Sequence, residues 1–125
     1  MREYSFDGPA YLGFDASHDV HGDGSLVVVS AAGHTPGSVV IFVALPSGRH
    51  LVLLGDLTWQ LEDITPRVER PLLMRRLADS DPAGCAGDLA RVVALAELVQ
   101  LVPAHDARAY DGIPHLTPAT VRPIP

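Results

Sequence analysis

The sequence predicts an α/β (α+β) domain that combines a β-sheet with helices. Two observations lead there. Three short apolar runs, S-L-V-V-V-S (25–30), S-V-V-I-F-V-A-L (38–45) and H-L-V-L-L (50–54), are each closed by turns rich in Gly, Pro or Asp. Further along, Leu89, Val92, Val93, Ala96 and Val99 recur at i, i+3, i+4, i+7 and i+10, one apolar face of a helix.

Taken in order, residues 1–24 combine Gly, Asp, Pro and aromatic residues without a sustained period and read as an irregular lead-in closed by an Asp23-Gly24 turn. The run 25–30 is the first strand, and a Gly-His-Thr-Pro-Gly turn leads to the second, 38–45. In such a turn Gly permits a positive φ and Pro pre-sets φ near −65°. Pro46-Ser47-Gly48 makes a hairpin-like connection to the third strand, 50–54, which ends in Gly55-Asp56. All three runs are continuously apolar, a pattern that predicts burial on both faces of the sheet. A helix is expected to begin at Pro71, where a missing N–H is harmless. Ser80 or Asp81 then caps a second helix with Pro82 in its first turn. Leu101-Val102 reads as a last short strand that delivers Pro103-Ala104-His105-Asp106. Residues 113–125, with four prolines, read as an extended tail.

Composition narrows the function. At 125 residues the chain is one domain at most or a piece of a larger one, and 47% hydrophobic with 19% charged residues is globular composition. A formal charge of −6, with no basic run, argues against a nucleic-acid or anionic-membrane partner. No apolar run approaches the roughly 20 residues of a membrane span. The single Cys85 forms no internal disulfide, so the fold does not depend on an oxidising compartment; near a helix start it reads as a small buried hydrophobe. With no hydrophobic signal core at the N-terminus, the expected setting is cytoplasmic.

Three features share one grammar, an apolar strand followed by a tight turn and a metal-competent side chain. They are His34 in G-H-T-P-G-S, Asp56 in L-L-G-D and His105 in V-P-A-H-D. A turn has no need of an imidazole, whereas neighbouring strand ends about 5 Å apart are well placed to converge ligands distant in sequence. Imidazole nitrogen and carboxylate oxygen both suit Zn²⁺. His18, His21, His50 and His115 read as surface residues, and Trp59 and Tyr110 as core or rim packing.

In this order the three motifs resemble the third, fourth and fifth motifs of metallo-β-lactamase-fold hydrolases, and D-G-S-L-V-V-V resembles the strand before the third. The resemblance spans about residues 15–110. It implies that His34 ligates a first zinc, His105 a second, and Asp56 bridges both, with two Zn²⁺ per complete site. It further implies a metal-bound hydroxide attacking the carbonyl of an ester, lactone, thioester or amide, hence a small-molecule substrate. The family's His-x-His-x-Asp-His motif is not in the sequence; the nearest string is S-H-D-V-H (17–21). By this resemblance residues 25–112 are expected to form the C-terminal half of an αββα sandwich, one mixed sheet with helices covering one face. Keeping one half leaves an inner sheet face bare. At roughly 25 cal/mol per Å², several hundred Å² of uncovered face forfeits on the order of 10 kcal/mol. Such a chain is expected to self-associate or to recruit an N-terminal half. Three readings follow: a metal-dependent hydrolase, a non-catalytic remnant whose sheet is an interaction surface, and a homodimer that builds a site from two copies.

Overall fold

A computed structural model describes residues 5–61 and 79–114 of the chain. The helix expected from Pro71, His115 and most of the 113–125 tail lie outside the described residues. The elements are β1 (Ser17–Asp19), β2 (Leu26–Ser30), β3 (Val39–Ala44), β4 (His50–Gly55), α1 (Pro82–Val93), β5 (Gln100–Pro103) and a 3₁₀ turn (Ala107–Tyr110). The five strands form one sheet in the order β1-β2-β3-β4-β5. Pairing is antiparallel from β1 to β4 and parallel between β4 and β5, so the sheet is mixed, as expected. A parallel neighbour needs a crossover, and α1 lies on that connection.

Strand registers divide the side chains between two faces. Val27 opposes Phe42, which opposes Val52, which opposes Leu101; Val29 opposes Val40. These residues and Leu54 form one buried face, closed by Cys85 and Val92 of α1 and by Phe14. Tyr11 and Phe14 both meet the Phe42 ring edge-on, at centroid distances of 5.2 and 6.1 Å. The other face is equally apolar, yet Leu26, Val39, Ile41, Val43 and Leu53 are only half-buried. Burial on both faces was expected and is found in part: Val28, Leu51 and Val102 are buried there. The reason is that α1 packs on the opposite face.

Two elements depart from the sequence reading. β1 lies within the stretch read as irregular. Its S-H-D sequence has no strand signature of its own, and pairing with Val27, Val28 and Val29 makes it a strand. The Asp19 carboxylate then folds the chain back, accepting from the backbone N–H groups of Gly22 and Gly24 at 2.9 and 2.8 Å. The S-H-D-V-H string is thus an edge strand running into a loop. Helix α1 is capped by Asp81, whose side chain accepts from the N–H groups of Ala83 and Gly84, with Pro82 behind it. It stops at Val93, before the expected apolar stripe is complete. From there Leu95 bonds back to Val92, Ala96 to Val93 and Leu98 to Leu95, all at i→i+3 spacing. Tightening to three residues per turn rotates the stripe, so Leu95 packs on the core while Ala96 is exposed.

Candidate metal centre

The antiparallel β3–β4 pair and the parallel β4–β5 pair bring the start of β3 and the ends of β4 and β5 to one rim of the sheet. Ser30 opposes Val39, Gly55 pairs with Pro103, and the Ala104 N–H donates to the Gly55 carbonyl at 3.1 Å. The loops carrying His34, Asp56 and His105 therefore leave the sheet at the same end.

The His34 turn is rigid for reasons visible in its sequence. The Ser38 N–H donates to the Thr35 carbonyl at 3.0 Å, closing a β-turn with Pro36 and Gly37 at its centre. The Thr35 and Ser38 hydroxyls bond each other at 2.8 Å. The whole turn is clamped to the segment before α1: Ser80 N–H donates to the His34 carbonyl at 3.0 Å and Asp81 N–H to the Gly33 carbonyl at 2.8 Å. Gly33 is required here by proximity, not by φ. A Cβ at that position would sit 2.2 Å from the Cys85 nitrogen and 2.5 Å from its Cα. The clamp also places the Asp79 carboxylate 2.9 Å from His34 Nδ1; the two side chains are 4% and 18% exposed.

At the other end of the rim Gly55 adopts a left-handed φ of +54°, which turns the chain out of β4 at Asp56. Asp56 Oδ1 lies 2.8 Å from His105 Nε2, and both side chains are open to solvent. The Trp59 indole stands edge-on to the His105 ring, 6.2 Å between centroids, so the sole tryptophan is at the rim. Tyr110 is partly exposed. Below them the buried Asp106 accepts from the backbone N–H groups of Leu61 and Arg108, both at 3.1 Å, and from the Arg108 guanidinium. It thereby ties the loop after His105 to the loop after Trp59. The Leu61 N–H, and after it the Arg108 side chain, hold the Asp106 carboxyl below its ordinary range.

The structure therefore joins Asp56 to His105 and sets His34 on Asp79. Among the described residues no three His, Cys, Asp or Glu side chains converge as a metal cage. In type, the donors fit zinc: an imidazole with a carboxylate, and a second imidazole with one nitrogen already engaged. In number, the described residues fall short of a zinc site. Asp79 and Asp106 were not singled out from the sequence. Asp79 has no local signal, since its partner is 45 residues away; Asp106 could have been found as the cap of a short helical turn.

Comparison with known proteins agrees with this geometry at the level of fold. No protein-family profile and no curated protein matches the chain. Solved structures do. An N-acyl homoserine lactone hydrolase, with the product N-hexanoyl-L-homoserine at its catalytic metal centre, superposes with a TM-score of 0.55 at 18% identity over 76% of this chain and 35% of its own. A quorum-quenching N-acyl homoserine lactone lactonase gives 0.58 at 17% identity, over 84% and 40%. The sheet and its helix have the metallo-β-lactamase fold. A B. thuringiensis protein, an AiiA mutant with N-decanoyl-L-homoserine at its active site, matches at 0.55 and 18% identity, over 76% of this chain and 35% of its own. The chain thus spans well under half the length of these metallo-β-lactamase-fold structures.

Proposed function

We propose that the chain belongs to a zinc-dependent hydrolase of the metallo-β-lactamase fold that opens a carbonyl substrate, with lactones first among esters, thioesters and amides. The observation that carries this reading is the Asp56–His105 contact of 2.8 Å at the rim reached also by the His34 turn. Lactones lead because the structures similar in fold are lactone hydrolases. Asp56, His105 and His34 would hold the metal, further donors coming from a partnering N-terminal half or a second copy. Bound zinc supplies an activated water and polarises the substrate carbonyl oxygen. The chain's own residues set that stage. Asp106 and the Gly33–Asp81 clamp hold the two histidine loops, and Trp59 gives an apolar wall beside His105 against which an acyl group can lie. The single cysteine fits a cytoplasmic setting.

N-hexanoyl homoserine lactone is the first substrate to offer, with excess zinc and then with a chelator. Chelator-sensitive ring opening that is lost in Asp56→Ala is the expected result; no turnover by the zinc-loaded chain counts against the reading. A non-catalytic interaction module is the second reading, favoured by the half-exposed sheet face of Leu26, Val39, Ile41, Val43 and Leu53.

A further inference from the structure

We propose that Asp79 is a positioning residue for His34, fixing the ring's orientation and tautomer so that Nε2 is left bare at the rim. This rests on the reading of His34 as a metal donor. In the neutral ring, an Nδ1–H donating to the Asp79 carboxylate across the 2.9 Å contact leaves the Nε2 lone pair free. The contact is held from both sides. Asp79-Ser80-Asp81 runs alongside Gly33-His34: the side chains pair at Asp79, and the next two N–H groups bond the carbonyls of His34 and Gly33 at 3.0 and 2.8 Å. The Asp79 side chain is 4% exposed, so a lost partner would leave a carboxylate with little water to replace it. The backbone clamp therefore holds the Asp79 residue beside the His34 ring. His105 is the opposite case. Its Nε2 faces Asp56 at 2.8 Å, so in the neutral ring an Nε2–H donating to that carboxylate leaves Nδ1 as the free nitrogen. The two imidazoles of the rim thus face their carboxylates through different nitrogens, Nδ1 for His34 and Nε2 for His105, which favours opposite neutral tautomers. Only His34 takes its carboxylate from outside the proposed ligand set, which is the arrangement in which an outer partner orients a metal-binding ring and strengthens it as a donor.

The test is the pattern of ring-nitrogen shifts in long-range ¹H–¹⁵N correlation spectra of the metal-free chain, taken at alkaline pH where imidazole is neutral. Wild type should show His34 as the Nδ1–H form and His105 as the Nε2–H form. Asp79→Ala should convert the His34 pattern to a mixture and leave His105 unchanged. Asp79→Asn keeps an acceptor oxygen and should retain the wild-type pattern. Zinc titration should then give about a 10- to 100-fold weaker affinity for Asp79→Ala, with Asp79→Asn between it and wild type. The proposal is overturned if His34 is the Nε2–H form in wild type, if Asp79→Ala leaves its pattern unaltered, or if zinc affinity is the same in both. Should Asp79→Ala fail to fold, the wild-type tautomer and the Asp79→Asn affinity decide. Should wild type bind no zinc at all, the hydrolase reading fails, while the tautomers still judge whether Asp79 orients the ring.

Discussion

Replacing Gly33 with alanine is predicted to loosen the joint between the His34 turn and helix α1. The added Cβ would lie 2.2, 2.5 and 2.8 Å from the N, Cα and Cβ atoms of Cys85, where ordinary contact begins at 3.4 Å. Two of those three atoms are helix backbone, so no rotamer change relieves the clash, and turn and helix must part by over an ångström. The two backbone hydrogen bonds of the clamp, Ser80 to His34 and Asp81 to Gly33, stretch with that movement. Each is worth about 1 kcal/mol and overpacking adds about 1–3 kcal/mol. Reduced freedom of the unfolded chain returns about 0.4–1 kcal/mol. The net loss is about 2–5 kcal/mol, a large share of the roughly 5–15 kcal/mol of a typical domain. Urea unfolding followed by the fluorescence of Trp59 reads it directly. Gly37→Ala is the matched control, since its Cβ meets nothing within 4 Å and its φ is not left-handed; it should raise stability by about 0.4–1 kcal/mol through the unfolded state alone. A Gly33→Ala loss below about 0.5 kcal/mol, or equal losses at the two sites, would refute the close-approach reasoning.

Other consequences are equally open to measurement. Leu12 sits at φ +46° beside Gly13 at +91° in a two-residue turn closed by reciprocal Tyr11–Phe14 backbone bonds, and its side chain is exposed. Leu12→Asn should therefore stabilise the chain by about 0.5–1 kcal/mol, and a loss of stability in urea would contradict that. Burial raises the Asp88 carboxyl above its ordinary value despite the opposing pull of Arg91. The folded chain thus holds that proton more tightly than the unfolded one, so this group's contribution to stability falls as pH rises from about 4 through the raised value. Asp88→Asn should gain on wild type over that window and match it below; a constant difference at all pH values would show that ionisation is not the cause. The half-buried sheet face of Ile41 and Leu53 predicts self-association. Sedimentation at micromolar concentrations should give a mass above one chain that drops in Ile41→Glu, and a wild-type monomer at every concentration would remove the face from the account.

The strands at the centre of the sheet were legible because each is a short apolar run ending in turn chemistry, a signal carried within a few residues. The same holds for the start of α1, where Asp81 and Pro82 act locally. β1 was not legible, since Ser17, His18 and Asp19 are strand only by pairing with β2. The end of α1 was misjudged because Leu95 and Ala96 both fit an apolar stripe, and only the switch to i→i+3 bonding chooses Leu95. At the rim, the turn residues announced that His34, Asp56 and His105 leave strand ends, but not how they pair. Gly33 shows the limit well. The sequence suggests a glycine chosen for φ, whereas the structure requires one because the helix backbone at Cys85, 52 residues along the chain, approaches it.

Zinc content per chain tests the central claim most directly, measured by elemental mass spectrometry on protein purified without chelator or affinity tag, loaded with zinc and then dialysed. The account predicts stoichiometric zinc, lost when His105 becomes Ala and reduced when His34 does. Zinc that stays near zero after loading would contradict it, and the rim would then be a set of turns serving an interaction surface.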